Sequence, residues 1–414
     1  MKLAITTLGL LTLTTVSAFA TTNLVYPVTG DAFRSGSSAG QTALYYDYGY
    51  LYNTGTGSLV VEAPLGHDTG AQRAFTLWGY NTAGHTLSCN IVLRNTTTGA
   101  PYAGAAANGT AAGFIQLPMT SPSVPAGDYT YDVSCLLPPN DATIIFGIGP
   151  TGTSSYFTPI TGDAFHTQTA QQDLNIQYVE GEVFSIGGQQ WIEGSLGVGV
   201  GGTQGFYFNG ADLYASGSLT CYVEAVDYTN FNSYQYSNTI TLSQMDVFHL
   251  LVTAAPPPGH YIYTGGCVLP SASLWVTGAT PSSGNIDLLL PTSGDAFHEE
   301  YPTYQSDLSY SWGAMQTDAN AIWVDAPLGH YIGAGSTTFT VTGYNAGGTG
   351  ISCLLGALSQ IAPGDSYQTI LTTSKVGPFS LPINVVTDNS NFIYSMTCYL
   401  DAAGSAIYGV TPSK

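Results

Sequence analysis

The stretches PVTGDAF (Pro27–Phe33), PITGDAF (Pro159–Phe165) and PTSGDAF (Pro291–Phe297) are one phrase written three times at a constant spacing of 132 residues. A period of that length counts out globular modules, whereas a membrane barrel repeats on the scale of one hairpin. Within the phrase the chemistry is that of a turn: Pro fixes φ, Gly accepts positive φ, and the Asp carboxylate accepts nearby backbone N–H groups. The phrase marks where each module begins, with Phe33, Phe165 and Phe297 plugging the module end and seating it against its neighbour.

The cysteines keep step with this count. Cys89 and Cys135, Cys221 and Cys267, and Cys353 and Cys398 are separated by 46, 46 and 45 residues. Six cysteines in isolation permit 15 pairings; three copies of one fold each close the same bridge, so the pairs are predicted in that order. Closing a loop of this length stabilises a module by roughly 3–4 kcal/mol on chain-entropy grounds. A metal reading is disfavoured by the absence of any Cys-x-x-Cys and of a His at a fixed offset from all six cysteines.

Each copy runs through the same short stretches: VVEAPLG, WIEGSLG and IWVDAPLG, then FTLWGYN, FYFNGAD and FTVTGYN, and later GDYTYDVSCLLP, GHYIYTGGCVLP and NFIYSMTCYL at the second cysteine. They are β-branched or aromatic, bounded by Gly, Pro, Asn or Thr, mostly alternating, and without a helical period. The pattern predicts an all-β chain of three tandem disulfide-bonded β-sandwich repeats of about 132 residues, over 21–152, 153–284 and 285–414, each with seven or eight strands. Such a repeat resembles an immunoglobulin-like module in general plan, which implies two packed sheets. The likeness is architectural, because Tyr129 and Tyr131 stand six and four residues before Cys135 rather than two. Short linkers predict a stiff rod. In LYYDYGYLY, Tyr46, Tyr48, Tyr50 and Tyr52 are expected on one face of an extended strand, with Tyr45 and Leu51 on the other.

Residues 1–20, MKLAITTLGLLTLTTVSAFA, read as a secretory signal peptide, with one positive charge at Lys2 and small residues at Ala18 and Ala20. Its apolar run is too short for a span of about 20 residues. The product is expected to be secreted or held at the cell surface or in the periplasm, with no membrane span elsewhere. The formal charge of −20 becomes −21 once Lys2 leaves, which argues against nucleic acid and anionic membrane as partners. Charged residues are 8% of the chain, against about 25% ordinarily. Burial, strand pairing and disulfides must therefore hold the fold, not salt bridges.

Chemical signals are thin. Asp31, Asp163 and Asp295 are candidate Ca²⁺ ligands at the module junctions, with Glu62, Glu193 and Asp325 before the Leu-Gly step as companions. GSSAG (Gly36–Gly40) puts Ser38 in the nucleophile position of Gly-x-Ser-x-Gly, but a strand is expected to follow where a hydrolase needs a helix. GVGVGG from Gly197 fails as a dinucleotide fingerprint for the same reason. His166 and His298 follow the repeated Phe where the first copy has Arg34, and His67 and His330 follow Leu-Gly where the second has Val198. These histidines are expected on solvent-facing loops. No cofactor other than candidate calcium is expected. The sequence points to a non-enzymatic structural or adhesive protein that acts by spacing and contact with a protein or glycan at the cell surface. The alternatives are a carbohydrate-binding array using exposed members of its 29 tyrosines, and a secreted hydrolase.

Overall fold

A computed structural model of the chain describes residues 24–413 except 30–31, 48, 153–155, 159, 162–163, 165, 168–173, 180–181, 213–216, 243–245, 271–273, 284–287, 291, 294–295, 297, 300–306, 312, 319–320, 332–334, 348, 360–365 and 388–391. The signal-peptide reading of residues 1–20, the candidate ligands Asp31, Asp163 and Asp295, and the plugs Phe165 and Phe297 lie outside the described residues.

The described residues are strand almost throughout, and eight corresponding strands recur in each third. In the first they are β1 (Tyr50–Asn53), β2 (Leu59–Asp68), β3 (Ala74–Asn81), β4 (Leu87–Asn95), β5 (Ala107–Gly109), β6 (Gly113–Thr120), β7 (Tyr129–Leu137) and β8 (Thr143–Pro150). In the second they are β9 (Glu182–Ser185), β10 (Gln190–Val200), β11 (Gln204–Asp212), β12 (Gly217–Asp227), β13 (Ser233–Leu242), β14 (Asp246–Ala254), β15 (His260–Leu269) and β16 (Leu274–Pro281). In the third they are β17 (Ala314–Thr317), β18 (Ile322–Tyr331), β19 (Gly335–Asn345), β20 (Ile351–Ser359), β21 (Ser366–Thr373), β22 (Gly377–Thr387), β23 (Phe392–Leu400) and β24 (Ala406–Ser413).

Six sheets result, two from each third. In every third the second, seventh, fourth and fifth strands lie side by side in one sheet, and the first, eighth, third and sixth in the other. The chain thus crosses between sheets at nearly every step, which is the winding of a jelly roll. Alternation supplies the reason: in β7, Tyr129, Tyr131, Val133, Cys135 and Leu137 enter the core while Thr130, Asp132, Ser134 and Leu136 face away from it. Each third closes its own core between its two sheets, where Leu65, Ile91 and Val133 meet Phe75, Leu77 and Ile148 in the first. Phe206 and Phe208 meet Val223 and Tyr263 in the second, and Phe339 and Val341 meet Leu355 and Tyr394 in the third. Among the described residues no helix is long and apolar enough to cross a membrane.

The expected disulfides Cys89–Cys135, Cys221–Cys267 and Cys353–Cys398 are present. The immunoglobulin likeness is corrected, because each bridge joins directly opposite residues of adjacent strands in one sheet instead of tying two sheets together. LYYDYGYLY is corrected too: it folds as a hairpin, with Leu44–Asp47 paired to β1 and Gly49 at φ 89 in the turn. Tyr46 and Leu51 face each other and enter the core, while Tyr45 and Tyr52 pair with ring centroids 5.0 Å apart.

The Leu-Gly step is a β-bulge in every copy. Leu65, Leu196 and Leu328 are skipped in the register with the neighbouring strand, and Gly66, Gly197 and Gly329 follow at φ 109, 117 and 90. One extra residue resets which side chains face inward.

The modules close into a ring, which corrects the expected rod. Just before Gly-Asp-Ala-Phe, Val28–Thr29, Ile160–Thr161 and Thr292–Ser293 pair with the last strand of their own module. They also pack against the second strand of the next one, β10, β18 and, from the third module back to the first, β2. Short linkers are as compatible with this closed cycle as with a line. At the first junction Trp78 and Phe146 pack on Val198, Val226 and Ile262. Phe231 is held there at φ 64, a costly conformation for a bulky residue, with its ring 5.1, 4.8 and 4.8 Å from those of Tyr80, Phe114 and Phe146. Phe231→Ala is expected to weaken the fold by about 2–3 kcal/mol, read as a lower urea midpoint. A loss below about 0.5 kcal/mol would show that this socket does not hold the junction.

Candidate functional site

The three modules meet at the axis of the ring, and the repeated sequence places the same kinds of residue there three times. The residue after Gly-Asp-Ala-Phe is basic in each copy, and it lies directly opposite the acid that precedes Leu-Gly: Arg34 with Glu62, His166 with Glu193, His298 with Asp325. Directly opposite side chains share a sheet face with Cβ atoms about 4.5–5.5 Å apart. The acids are buried, as are the two histidines. Glu62 Oε2 accepts the Gly313 N–H of the third module at 3.4 Å, Glu193 Oε2 accepts the Tyr222 hydroxyl at 3.3 Å, and Asp325 accepts the Thr397 hydroxyl.

A tyrosine that follows, again at a spacing of 132, reaches into the next module. The Tyr46 ring lies 4.4 Å from that of His166, and the Tyr178 ring 4.2 Å from that of His298. Tyr310 completes the cycle by lining the same cleft as Arg34. Tyr46 is fixed by donating its hydroxyl to Phe33 O at 2.7 Å while accepting from Gln41 Nε2 at 2.8 Å, and Phe33 is buried in the core of the first module. The cleft is narrow, with Ser35, Ser37 and Glu299 also on its walls.

Several expectations change here. His166, His298, His67 and His330 are buried and not solvent-facing, because the preceding module of the ring covers the sheet face that carries them. Glu62, Glu193 and Asp325 face basic groups, while Asp31, Asp163 and Asp295, which they were expected to accompany as calcium ligands, lie outside the described residues. GSSAG folds as one helical turn, Ser38–Gln41, capped by Ser37 Oγ accepting from Gly40 N–H at 3.2 Å, and the Ser38 side chain lies outside the described residues. GVGVGG, as expected, ends β10 and turns into β11, another strand.

At the junction between the third and first modules, Arg94 donates to Gly99 O and to Ser311 O, both at 2.7 Å, and its guanidinium lies 5.4 Å over the Tyr408 ring. Sequence reasoning missed Arg94, and it missed Trp191 and Trp323, which stand 43% and 37% exposed on the outer faces of β10 and β18. The signal for the two tryptophans was their identical place in two repeats, where the first has Val60.

No family model matches the sequence, and no curated relative matches it. Among solved structures the chain is similar to the tandem CBM22 domains of Paenibacillus barcinonensis Xyn10C, at 9% identity and a TM-score of 0.23 over 64% of this chain and 99% of that one. It is also similar to a triple jelly roll protein of an archaeal virus turret, at 10% identity and a TM-score of 0.19 over 96% of this chain and 98% of that one. A third likeness, to the uncharacterized protein lmo2446 of Listeria monocytogenes, has 11% identity and a TM-score of 0.23 over 86% of this chain and 31% of that one. At such scores these likenesses carry no argument about function, and the jelly-roll description rests on the strand order above.

Proposed function

We propose that the chain is an exported, non-enzymatic structural or adhesive head, secreted or held at the cell surface, which acts by presenting the outside of a rigid three-module ring for contact. The observation that carries this reading is the use made of the chemically capable groups. The axial acids face basic groups, the axial histidines carry tyrosines of neighbouring modules, and Arg94 joins one module to another. Beads coated with residues 21–414 are expected to be retained on protein- or glycan-bearing cell surfaces and to be released by the soluble chain. Beads that bind nothing, together with turnover of ester or glycoside substrates by the soluble chain, would overturn the proposal.

A second reading, binding of neutral glycans, is favoured by Trp191 and Trp323. Each continues across its sheet into a row with hydroxyls, Trp191–Val268–Thr220–Thr239 and Trp323–Tyr399–Ser352–Thr372. An exposed indole beside hydroxyls offers an apolar face to a sugar ring and hydrogen bonds to its rim. On a glycan array, Trp191→Ala with Trp323→Ala is expected to lose at least tenfold in apparent affinity for any neutral glycan bound by the wild type. An unchanged profile would confine contact to protein partners.

A further inference from the structure

The three junctions of the ring are built on one plan but not from one chemistry. On the outer face of the second module the row across β10, β15 and β12 is Val198–Ile262–Val226, buried against Trp78 and Phe146. The same row of the first module, across β2, β7 and β4, is His67–Thr130–Arg94. Arg94 is satisfied by Gly99 and by Ser311 of the third module. His67 and Thr130 are fully buried, yet both ring nitrogens of His67 and the hydroxyl of Thr130 lack hydrogen-bond partners among the described residues. Burying such groups unpaired costs free energy that an apolar row does not. This junction also joins the two ends of the chain's order, so it opens with no linker to hold its halves together.

We propose that the junction of the third and first modules is an acid-released latch, in which protonation of His67 opens the ring while each jelly roll stays folded. The charged and titratable surroundings of His67 are mixed. Asp68 follows it on β2 and is bound by Arg73 Nε at 2.6 Å, Asp128 precedes β7, Asp132 and Arg94 share its sheet face, and Glu62 lies farther along β2. From the third module come Tyr408, over Arg94, and the uncharged Thr292–Ser293 against β2.

Burial lowers the affinity of His67 for a proton and outweighs the opposing pull of Asp128 and Asp68, so its pKa lies below the usual imidazole value and the latched form is neutral. In the open form His67 meets solvent and regains a value near 6.5. As pH falls through that value the open form takes up a proton that the closed form refuses, so closure weakens toward acid. Between pH 7.5 and 5.0 the open-to-closed ratio rises by up to about 30-fold for one such group.

The test is small-angle scattering of the mature chain, disulfides intact, at both pH values, with circular dichroism reporting that the strands persist. The wild type is expected to expand in acid. His67→Val, which installs the residue of the second module at this place, should stay compact, His67→Gln should lose the acid response even if it packs less well, and His330→Val should behave as the wild type. A wild type of constant size, or equal expansion in both His67 variants, would overturn the latch.

Discussion

Removing the three disulfides, by reduction in mild denaturant or by paired Cys→Ala changes, is expected to lower the melting temperature by about 10–20 °C and to turn a trypsin-resistant chain into a digestible one. Each bridge lies within one sheet between strands already paired, so the native fold gains few contacts from it. Its effect falls on the unfolded chain, where closing a loop of 46 residues removes about 4 kcal/mol of chain entropy per module. Within residues 21–414 trypsin has four bonds to cut, after Arg34, Arg73, Arg94 and Lys375. Arg94 is buried in a junction and Arg34 lines the axial cleft, so cleavage at either requires opening. A chain without disulfides that melts within about 3 °C of the native one would show that burial alone holds the modules.

The repeat, the strands and the disulfide pairing were legible because each is fixed by residues at constant spacing, such as Cys221 and Cys267 repeating Cys89 and Cys135. Which strand pairs with which was not. A count of eight alternating strands fits an immunoglobulin-like sandwich and a jelly roll alike, and they are separated by pairings such as β7 between β2 and β4 and β8 between β1 and β3. The ring was hidden for a related reason: its contacts join positions such as Arg94 and Ser311, 217 residues apart, with no shared motif. The axial site was partly visible. A basic residue after Gly-Asp-Ala-Phe in all three copies is conspicuous in a chain with six Lys and Arg, but Arg34 beside two histidines reads as variation until the ring brings them to one axis. Val198 in place of His67 likewise reads as noise, although it marks a place that one neighbour covers with apolar rings and another with polar groups.

Gly66→Ala is expected to cost about 3 kcal/mol or more and to lower the melting temperature by roughly 10 °C, whereas Gly84→Ala should cost about 1–2 kcal/mol. Both glycines have positive φ, 109 and 88, so both substitutions carry the left-handed penalty. They differ in surroundings. A Cβ on Gly84 meets nothing within 4 Å, but on Gly66 it would lie 2.1 Å from the Leu24 carbonyl oxygen, a backbone atom held by pairing of Leu24–Val25 with β2. That edge strand must leave or the bulge must flatten. Flattening has a consequence beyond stability. Without the extra residue, the alternation that turns Val61, Ala63 and Leu65 into the core would send His67 in after them, and only the bulge turns it outward beside Thr130 toward the third module. Gly66→Ala should therefore loosen the ring as well as the module, seen as a larger scattering radius at neutral pH, while Gly84→Ala leaves the radius unchanged. Equal losses in the two variants would mean that the bulge tolerates a side chain and that the orientation of His67 is set elsewhere.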